Sequence, residues 1–133
     1  MGAMPGGGTS AVVASPRAGS RALAPFIEAL RVEGCEVSCA VTAAEALSLV
    51  RDRRPKLLIA DEGLPDLPGG DPLALAAQVL RVDAFVSTAV VGGLAPEAFH
   101  EKSEGLGLLA QLPPEPGPKE ACRLLERLWL VQG

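Results

Sequence analysis

The chain has 133 residues, 48% hydrophobic and 21% charged, proportions typical of one globular domain and not of a disordered segment. Its net charge is −4, and it contains three Phe, one Trp and no Tyr. Nucleic-acid binders need cations for phosphates and rings for base stacking, so this class is not expected. No apolar run reaches the about 18 residues of a membrane helix, so no membrane partner is expected either.

The three cysteines are an odd number, which excludes a complete disulfide framework. Cys35 and Cys39 fall in one predicted strand, where four residues span about 13 Å, too far for a bridge. Reduced thiols and an N-terminus without signal-peptide features predict a cytoplasmic protein. The single histidine, His100, has no ligand partner at zinc-site spacing, so no metal site is expected there.

The first ten residues, 1–10, are Gly-rich and predict a flexible tail before one domain at 11–131. The apolar run Ala11–Ala14 predicts the first strand. Apolar side chains then recur at helical spacing, at Leu23, Phe26, Ile27 and Leu30. Pro25 lies inside this pattern, so the helix either starts late or kinks, and Gly34 is predicted to end it.

Small and β-branched residues predict a second strand over Cys35–Val41. Thr42 and Glu45 form a capping-box pattern that predicts the start of a second helix. The apolar run Lys56–Ala60 predicts a buried strand that ends at Asp61.

A turn-rich loop covers 62–70, and Asp71 is predicted to cap a third helix that ends near Val82. The remaining elements alternate in the same way: a strand at Ser87–Val91, a short helix at 96–102, a strand at Gly107–Gln111, and a helix with an apolar stripe at Ala121, Leu124, Leu125 and Leu128. Five strands alternating with five helices predict an α/β fold.

Such alternation favours a parallel sheet covered on both faces, because each parallel return needs a crossover. The expected architecture is doubly wound and flavodoxin-like, with strand order 2-1-3-4-5. Chemistry in such folds lies at the carboxyl ends of the strands.

The chain resembles the receiver domain of bacterial two-component response regulators from Ala11 to Leu130. The segment Leu58–Asp61 is followed by Leu64-Pro65-Asp66 and then by Gly69, and these spacings match the receiver pattern. The resemblance implies a (βα)5 receiver fold, a role in phosphorelay signal transduction, and Asp61 as the phospho-acceptor position.

Other positions depart from what the resemblance implies for phosphorylation. Receivers carry an acidic pair for Mg²⁺ after the first strand, a Thr or Ser after the fourth, a Lys at the end of the fifth before a Pro, and an aromatic switch three residues before that Lys. Here these positions are Ser15 and Pro16, Gly92, Leu112, and Leu109. Phosphoryl transfer to a carboxylate depends on positioning and charge neutralisation, so inefficient phosphorylation, no Mg²⁺ and no other cofactor are expected at Asp61.

Arg17 follows Pro16 in the predicted loop after the first strand. Its guanidinium could reach Asp61 and take the place of the metal as a fixed positive charge. It could equally point into solvent, and the sequence leaves both arrangements open.

The expected function is that of a pseudo-receiver, a non-enzymatic protein-interaction module that acts without phosphorylation. By resemblance, the interaction face comprises the fourth predicted helix, the fifth strand and the fifth helix, and the partner is another protein or a second copy. The expected face residues are Phe99, Leu108, Leu109, Arg123 and Trp129. Trp129 is either an anchor for a partner or a side chain that packs the last helical turn.

Two alternative functions remain. One is a conventional phospho-accepting receiver that uses Asp61 as its nucleophile. The other is a small anion or cofactor binder in which the loop Ser15–Ser20, between a strand and a helix, holds a phosphate through backbone amides, hydroxyls and Arg17.

Overall fold

Five parallel strands form one sheet in the order 2-1-3-4-5, which confirms the predicted fold class. The computed structural model describes residues 9–92, 101 and 108–132. The strands are β1 (Ser10–Ala14), β2 (Glu36–Ala40), β3 (Leu57–Ala60), β4 (Ser87–Val91) and β5 (Leu108–Leu112). The described helices are α1 (Ala24–Val32), α2 (Ala43–Arg53), α3 (Pro72–Val82) and α4 (Pro118–Gln132).

Helix α4 is the fifth helix of the sequence prediction. The fourth predicted helix, 96–102, lies outside the described residues apart from Glu101, which is helical. At the N-terminus, β1 begins at Ser10 and Thr9 is buried, so these two residues belong to the domain and not to the predicted tail. No helix within the described ranges is both long and apolar enough to cross a membrane.

Local sequence signals explain where the first two helices begin and end. Pro25 lies in the first turn of α1, where its missing N–H removes no helical hydrogen bond, so the helix starts at Ala24 without a kink. At its end, Gly34 has φ +97° and the Cys35 N–H donates to the Leu30 carbonyl, which is the Schellman arrangement. Thr42 caps α2, as the capping-box pattern predicts.

Alternation along the strands divides the core into two layers, one on each face of the sheet. One layer packs beneath α1 and α4 and contains Val13, Ile59, Val91 and the helix residues Phe26, Leu125 and Leu128, among others. The other packs beneath α2 and α3 and contains Val12, Leu58, Val90 and the helix residues Val50, Leu75 and Val79, among others. Both faces of the sheet are therefore covered, as parallel sheets require.

The three cysteines are unbridged. Cys35 is buried, which raises the pKa of its thiol to about 11, whereas Cys39 and Cys122 are exposed. The sequence predicts both Cys35 and Cys39 in one strand. In the structure Cys39 lies within β2, and Cys35 directly precedes it.

Candidate functional site

Ser15 and Asp61 lie side by side because they follow neighbouring parallel strands in register. Ala14 of β1 pairs with Ala60 of β3, and the Asp61 N–H donates to the Ala14 carbonyl at 2.9 Å. The Ser15 hydroxyl then donates to Asp61 Oδ2 at 2.7 Å. Both residues are buried, at 0% and 3% exposure, so the Asp61 carboxylate must find its partners within the protein.

Arg17 supplies the positive charge for this carboxylate. Its Nε donates to Asp61 Oδ2 at 2.7 Å, and its Nη2 lies 3.5 Å from Oδ1. Nη2 also donates to the carbonyl of Pro114, in the loop between β5 and α4. Of the two arrangements that the sequence leaves open, the structure contains the ion pair.

The turn after β1 sets the direction of the Arg17 side chain. The Arg17 N–H donates to the Ser15 hydroxyl at 3.0 Å, so one hydroxyl joins the loop backbone to Asp61. The Arg17 side chain is 32% exposed and the Asp61 side chain 4%, so the carboxylate is the more deeply buried partner. The hydrogen bond to Asp61 raises the pKa of Arg17 above its usual value, and the guanidinium stays charged.

Both oxygens of Asp61 have hydrogen-bond donors. Oδ2 accepts from Ser15 and from Arg17 Nε, whereas Oδ1 accepts the backbone N–H of Glu62 at 2.8 Å and faces Arg17 Nη2. Each oxygen of this buried carboxylate therefore has donors within the protein, as buried charged groups require.

Gly92, at the end of β4, leaves room for the side chain of Glu62. A Cβ at Gly92 would lie 3.2 Å from both Cδ and Oε2 of Glu62, tighter than most contacts of this kind. The carboxylate of Glu62 thus lies against the strand end at which receivers carry a hydroxyl. The Gly92 carbonyl accepts from the Gln111 side chain at 2.9 Å, which joins the ends of β4 and β5.

The Leu112 side chain packs in the core layer beneath α1 and α4. It pairs with Val91, whose side chain belongs to the same layer. Leu112 is 5% exposed, and its backbone carbonyl accepts from the Gly92 N–H. Pro16, by contrast, is exposed beside the site, with its Cγ 3.5 Å from a Cβ built at Gly63.

Asp66 has a role that the sequence pattern did not indicate. Its two carboxylate oxygens accept the backbone N–H groups of Ala43 and Ala44, at 2.7 and 2.9 Å, and so cap the N-terminus of α2. These hydrogen bonds lower the pKa of Asp66. Asp66 is 23 and 22 positions from Ala43 and Ala44 in the sequence, so no local pattern could predict the contact.

The residues of the expected interaction face differ in how exposed they are and in which core layer they pack against. Arg123 is exposed on α4, and Trp129 is half-buried against the core layer beneath α1 and α4. Leu108 and Leu109 are both half-buried, and they pack on opposite faces of the sheet. Phe99 lies outside the described residues.

A bulge at the start of β5 accounts for the placement of the two leucines. Thr88 pairs with Leu108 and Ala89 with Ala110, which leaves Leu109 as an extra residue. Leu109 and Ala110 consequently both pack against the layer beneath α1 and α4. The Arg127 side chain also reaches β5 and donates to the Leu109 carbonyl at 3.2 Å.

No protein-family model and no curated protein sequence matches the chain. Solved structures do. A CheY-like response regulator receiver domain protein from Methanospirillum hungatei has a TM-score of 0.76 and 21% identity, over 92% of this chain and 94% of that one. The receiver domain of NtrX from Brucella abortus has a TM-score of 0.74 and 22% identity, over 92% and 99%.

The non-phosphorylated HemR receiver domain from Leptospira biflexa has a TM-score of 0.72 and 23% identity, over 90% of this chain and 93% of that one. This chain has a CheY-like receiver fold. Within the receiver fold, the carboxyl edge of the sheet holds Asp61 together with Ser15 and Arg17, and Glu62 lies beside Gly92. Glu62 and the carbonyl of Pro114 are site components that the sequence analysis missed.

Proposed function

We propose that this chain is a pseudo-receiver, a signal-transduction module that binds a protein partner without phosphorylation of Asp61. One observation carries the proposal: the Arg17 guanidinium contacts both oxygens of Asp61, and the Ser15 hydroxyl donates to one of them. A carboxylate oxygen that attacks phosphorus must be accessible and must approach in line with the leaving group. Here the nucleophile is 4% exposed and its donors are already in place.

The donor set does not fit Mg²⁺, the ion that the receiver fold implies. Mg²⁺ requires near-octahedral oxygen ligands at about 2.0–2.1 Å, usually with one or two carboxylates. At the positions of the acidic pair, Ser15 donates its hydroxyl hydrogen to Asp61, and Pro16 has no side-chain ligand. The Arg17 cation, 2.7 Å from Asp61 Oδ2, would repel a divalent ion at that oxygen.

Among the described residues around Asp61, three positions offer little to hold a phosphoryl group. Gly92 offers no hydroxyl, and the Glu62 carboxylate beside it would repel the phosphoryl oxygens. Leu112 is buried in the core and carries no charge. Arg17 remains as the local cation, but it is held by Asp61 and by Pro114.

The anion-binding alternative has less support than the pseudo-receiver. Two of the groups that the Ser15–Ser20 loop would need, the Ser15 hydroxyl and the Arg17 guanidinium, are directed to Asp61. The Ser20 N–H donates to the Arg17 carbonyl within the loop, so that backbone donor is also used.

The partner surface that we propose is the one formed by β5 and α4. Within the described residues, a shallow cleft between β5 and α4 is lined by Gln111, Glu120, Arg123 and Arg127. Arginine side chains beside apolar strand residues are common at protein interfaces.

The test treats the chain with acetyl phosphate and Mg²⁺ and measures intact mass, with a beryllofluoride titration followed by NMR. We expect no phosphoryl adduct and no saturable change at Asp61, whereas a conventional receiver treated in parallel responds. The Asp61→Asn variant should bind the partner that the wild type captures, with an affinity within a few-fold of that of the wild type.

Two variants sharpen this test. Arg17→Ala frees the carboxylate, and Arg17→Ala combined with Pro16→Asp adds an acidic ligand, so we expect these, and not Arg21→Ala, to gain a response to Mg²⁺. Arg21 is an exposed arginine in the same loop and serves as the matched control. A stoichiometric adduct on Asp61 of the wild type would support the phospho-accepting alternative and overturn the proposal.

A further inference from the structure

The exposed apolar side chains of the domain are concentrated at the sheet edge opposite Asp61. Among the described residues, six large hydrophobic side chains are exposed. Five of them, Val32, Val82, Phe85, Leu130 and Val131, lie at or just beyond the C-terminal ends of helices. Phe85 and Leu130 are the most exposed, at 88% and 87%.

The topology places these residues at one edge of the sheet. Every strand is parallel, and each helix returns the chain to the sheet edge where the next strand begins. The C-terminal ends of α1 and α4 on one face and of α3 on the other therefore lie along the amino edge of the sheet, whereas Asp61 is at the carboxyl edge. Isolated exposed apolar residues need no explanation, but a cluster at one end of a domain is typical of an interaction surface.

Among the described residues, charge divides this amino edge into two halves. The half at the ends of α2 and α3 carries more basic than acidic groups: Arg51, Arg53, Arg54, Lys56 and Arg81 against Asp52 and Asp83. The half at the end of α1 and the start of β2 carries Glu33 and Glu36 against Arg31. Each half has exposed apolar residues of its own, Phe85 and Val82 on the basic side and Val32 on the acidic side.

A surface with two complementary halves fits a second copy of itself. We infer that the amino edge of the sheet is a two-fold dimer interface in which the basic half of each copy contacts the acidic half of the other. A two-fold axis forms both contacts at once, because residue i meets residue j and residue j meets residue i. This inference is independent of the proposal for Asp61, which concerns the opposite edge.

Phe85 is the residue best placed to anchor the contact. It borders a cleft on the basic half that is also lined by Val50, Arg51, Arg54 and Val82. Aromatic and arginine side chains contribute much of the binding energy at protein interfaces, and here an aromatic side chain lies beside arginines and an apolar depression. The cleft can receive an aliphatic side chain such as Val32 of the second copy.

The experiment is sedimentation velocity on the full chain from about 5 to about 200 µM, a range that detects micromolar dimers. We expect the wild-type mass to rise with concentration toward twice the 13.6 kDa chain mass. Phe85→Asp should weaken dimerisation at least tenfold. Val41→Asp, at the sixth exposed hydrophobic residue, serves as the control and should dimerise like the wild type.

A charge swap tests the geometry itself. Arg51→Glu and Glu36→Arg should each weaken the dimer at least tenfold when studied alone, because both contacts of a homodimer then place like charges together. An equimolar mixture of the two variants should dimerise, since one contact is restored with reversed charges and the other is native. Circular dichroism confirms that each variant is folded.

Three results would overturn the inference. One is a wild-type chain that stays monomeric over the whole range. Another is a dimer that Phe85→Asp leaves intact. The third is a dimer that is abolished by Arg123→Glu on α4, which would move the interface to the face formed by β5 and α4.

Discussion

Replacing Arg17 by alanine would remove the cation from a carboxylate that cannot reach solvent. The Asp61 side chain is 4% exposed and would keep two donors, the Ser15 hydroxyl and the Glu62 N–H. Removing one partner of a fully buried ion pair costs about 3–5 kcal/mol because the other charge is left unpaired.

The expected cost here is smaller than that range. The Arg17 side chain is 32% exposed, so water already screens the pair, and water can enter the space that the guanidinium leaves. We therefore expect Arg17→Ala to lower the free energy of unfolding by about 2 kcal/mol at neutral pH. For a domain of this size, that corresponds to a fall in Tm of roughly 6–10 °C.

The assay is a double-mutant cycle measured by urea denaturation. Asp61→Asn in the Arg17→Ala background replaces the unpaired charge with a neutral amide, so it should recover at least about 1 kcal/mol. In the wild-type background the same change should destabilise, because the amide carries no negative charge to pair with Arg17 and has one acceptor oxygen in place of two.

Equal stabilities of Arg17→Ala and wild type at neutral pH would refute the reasoning, since they would mean that the ion pair does not compensate burial of Asp61. The reasoning would also be refuted if Asp61→Asn changed the free energy of unfolding by the same amount in the wild type and in the Arg17→Ala variant. Arg21→Ala, in the same loop, should change stability by less than about 0.5 kcal/mol.

Two further predictions concern the loop after β3. Gly70→Ala should destabilise the protein by at least about 2 kcal/mol in a thermal melt, because φ at Gly70 is +65° and the new Cβ would lie 2.7 Å from Gly63 Cα. The control variant Gly19→Ala should be nearly neutral, because a Cβ at Gly19 would have no atom within 4 Å. Asp66→Asn should remove part of the acid sensitivity of folding. The backbone amides of α2 lower the pKa of Asp66 in the folded protein, so the stability that Asp66 contributes is complete above about pH 4 and is lost as the pH falls through this lowered pKa. A wild type that remains more stable than the variant at pH 2 would contradict this prediction.

The order of helices and strands was predictable because each helix and each strand is marked by signals that act within a few residues. The Thr42–Glu45 capping pattern, the cap at Asp71 and the apolar runs of the strands all act within a few residues. Strand and helix alternation then restricts the topology to parallel crossovers, which is why the 2-1-3-4-5 order followed from the sequence. The boundary of β1 was displaced by one residue because Ser10 is polar yet pairs with Glu36.

Side-chain placement at the strand ends was less predictable. Leu112 packs in the same core layer as its partner Val91, and a bulge leaves Leu109 as an extra residue in β5, details that the resemblance to receivers did not predict. A bulge depends on pairing with another strand, and the β5 sequence alone does not show it.

Which chemical groups meet at the carboxyl edge follows from the sequence, because parallel strands end there and Ser15, Asp61 and Gly92 follow those strands. How these groups pair depends on long-range contacts in the folded domain. The direction of Arg17 depends on a turn held by Ser15 and on the Pro114 carbonyl, nearly 100 residues away in the chain. Long-range contacts of this kind are fixed by packing, since a flexible, charged side chain has no local preference strong enough to choose its partner.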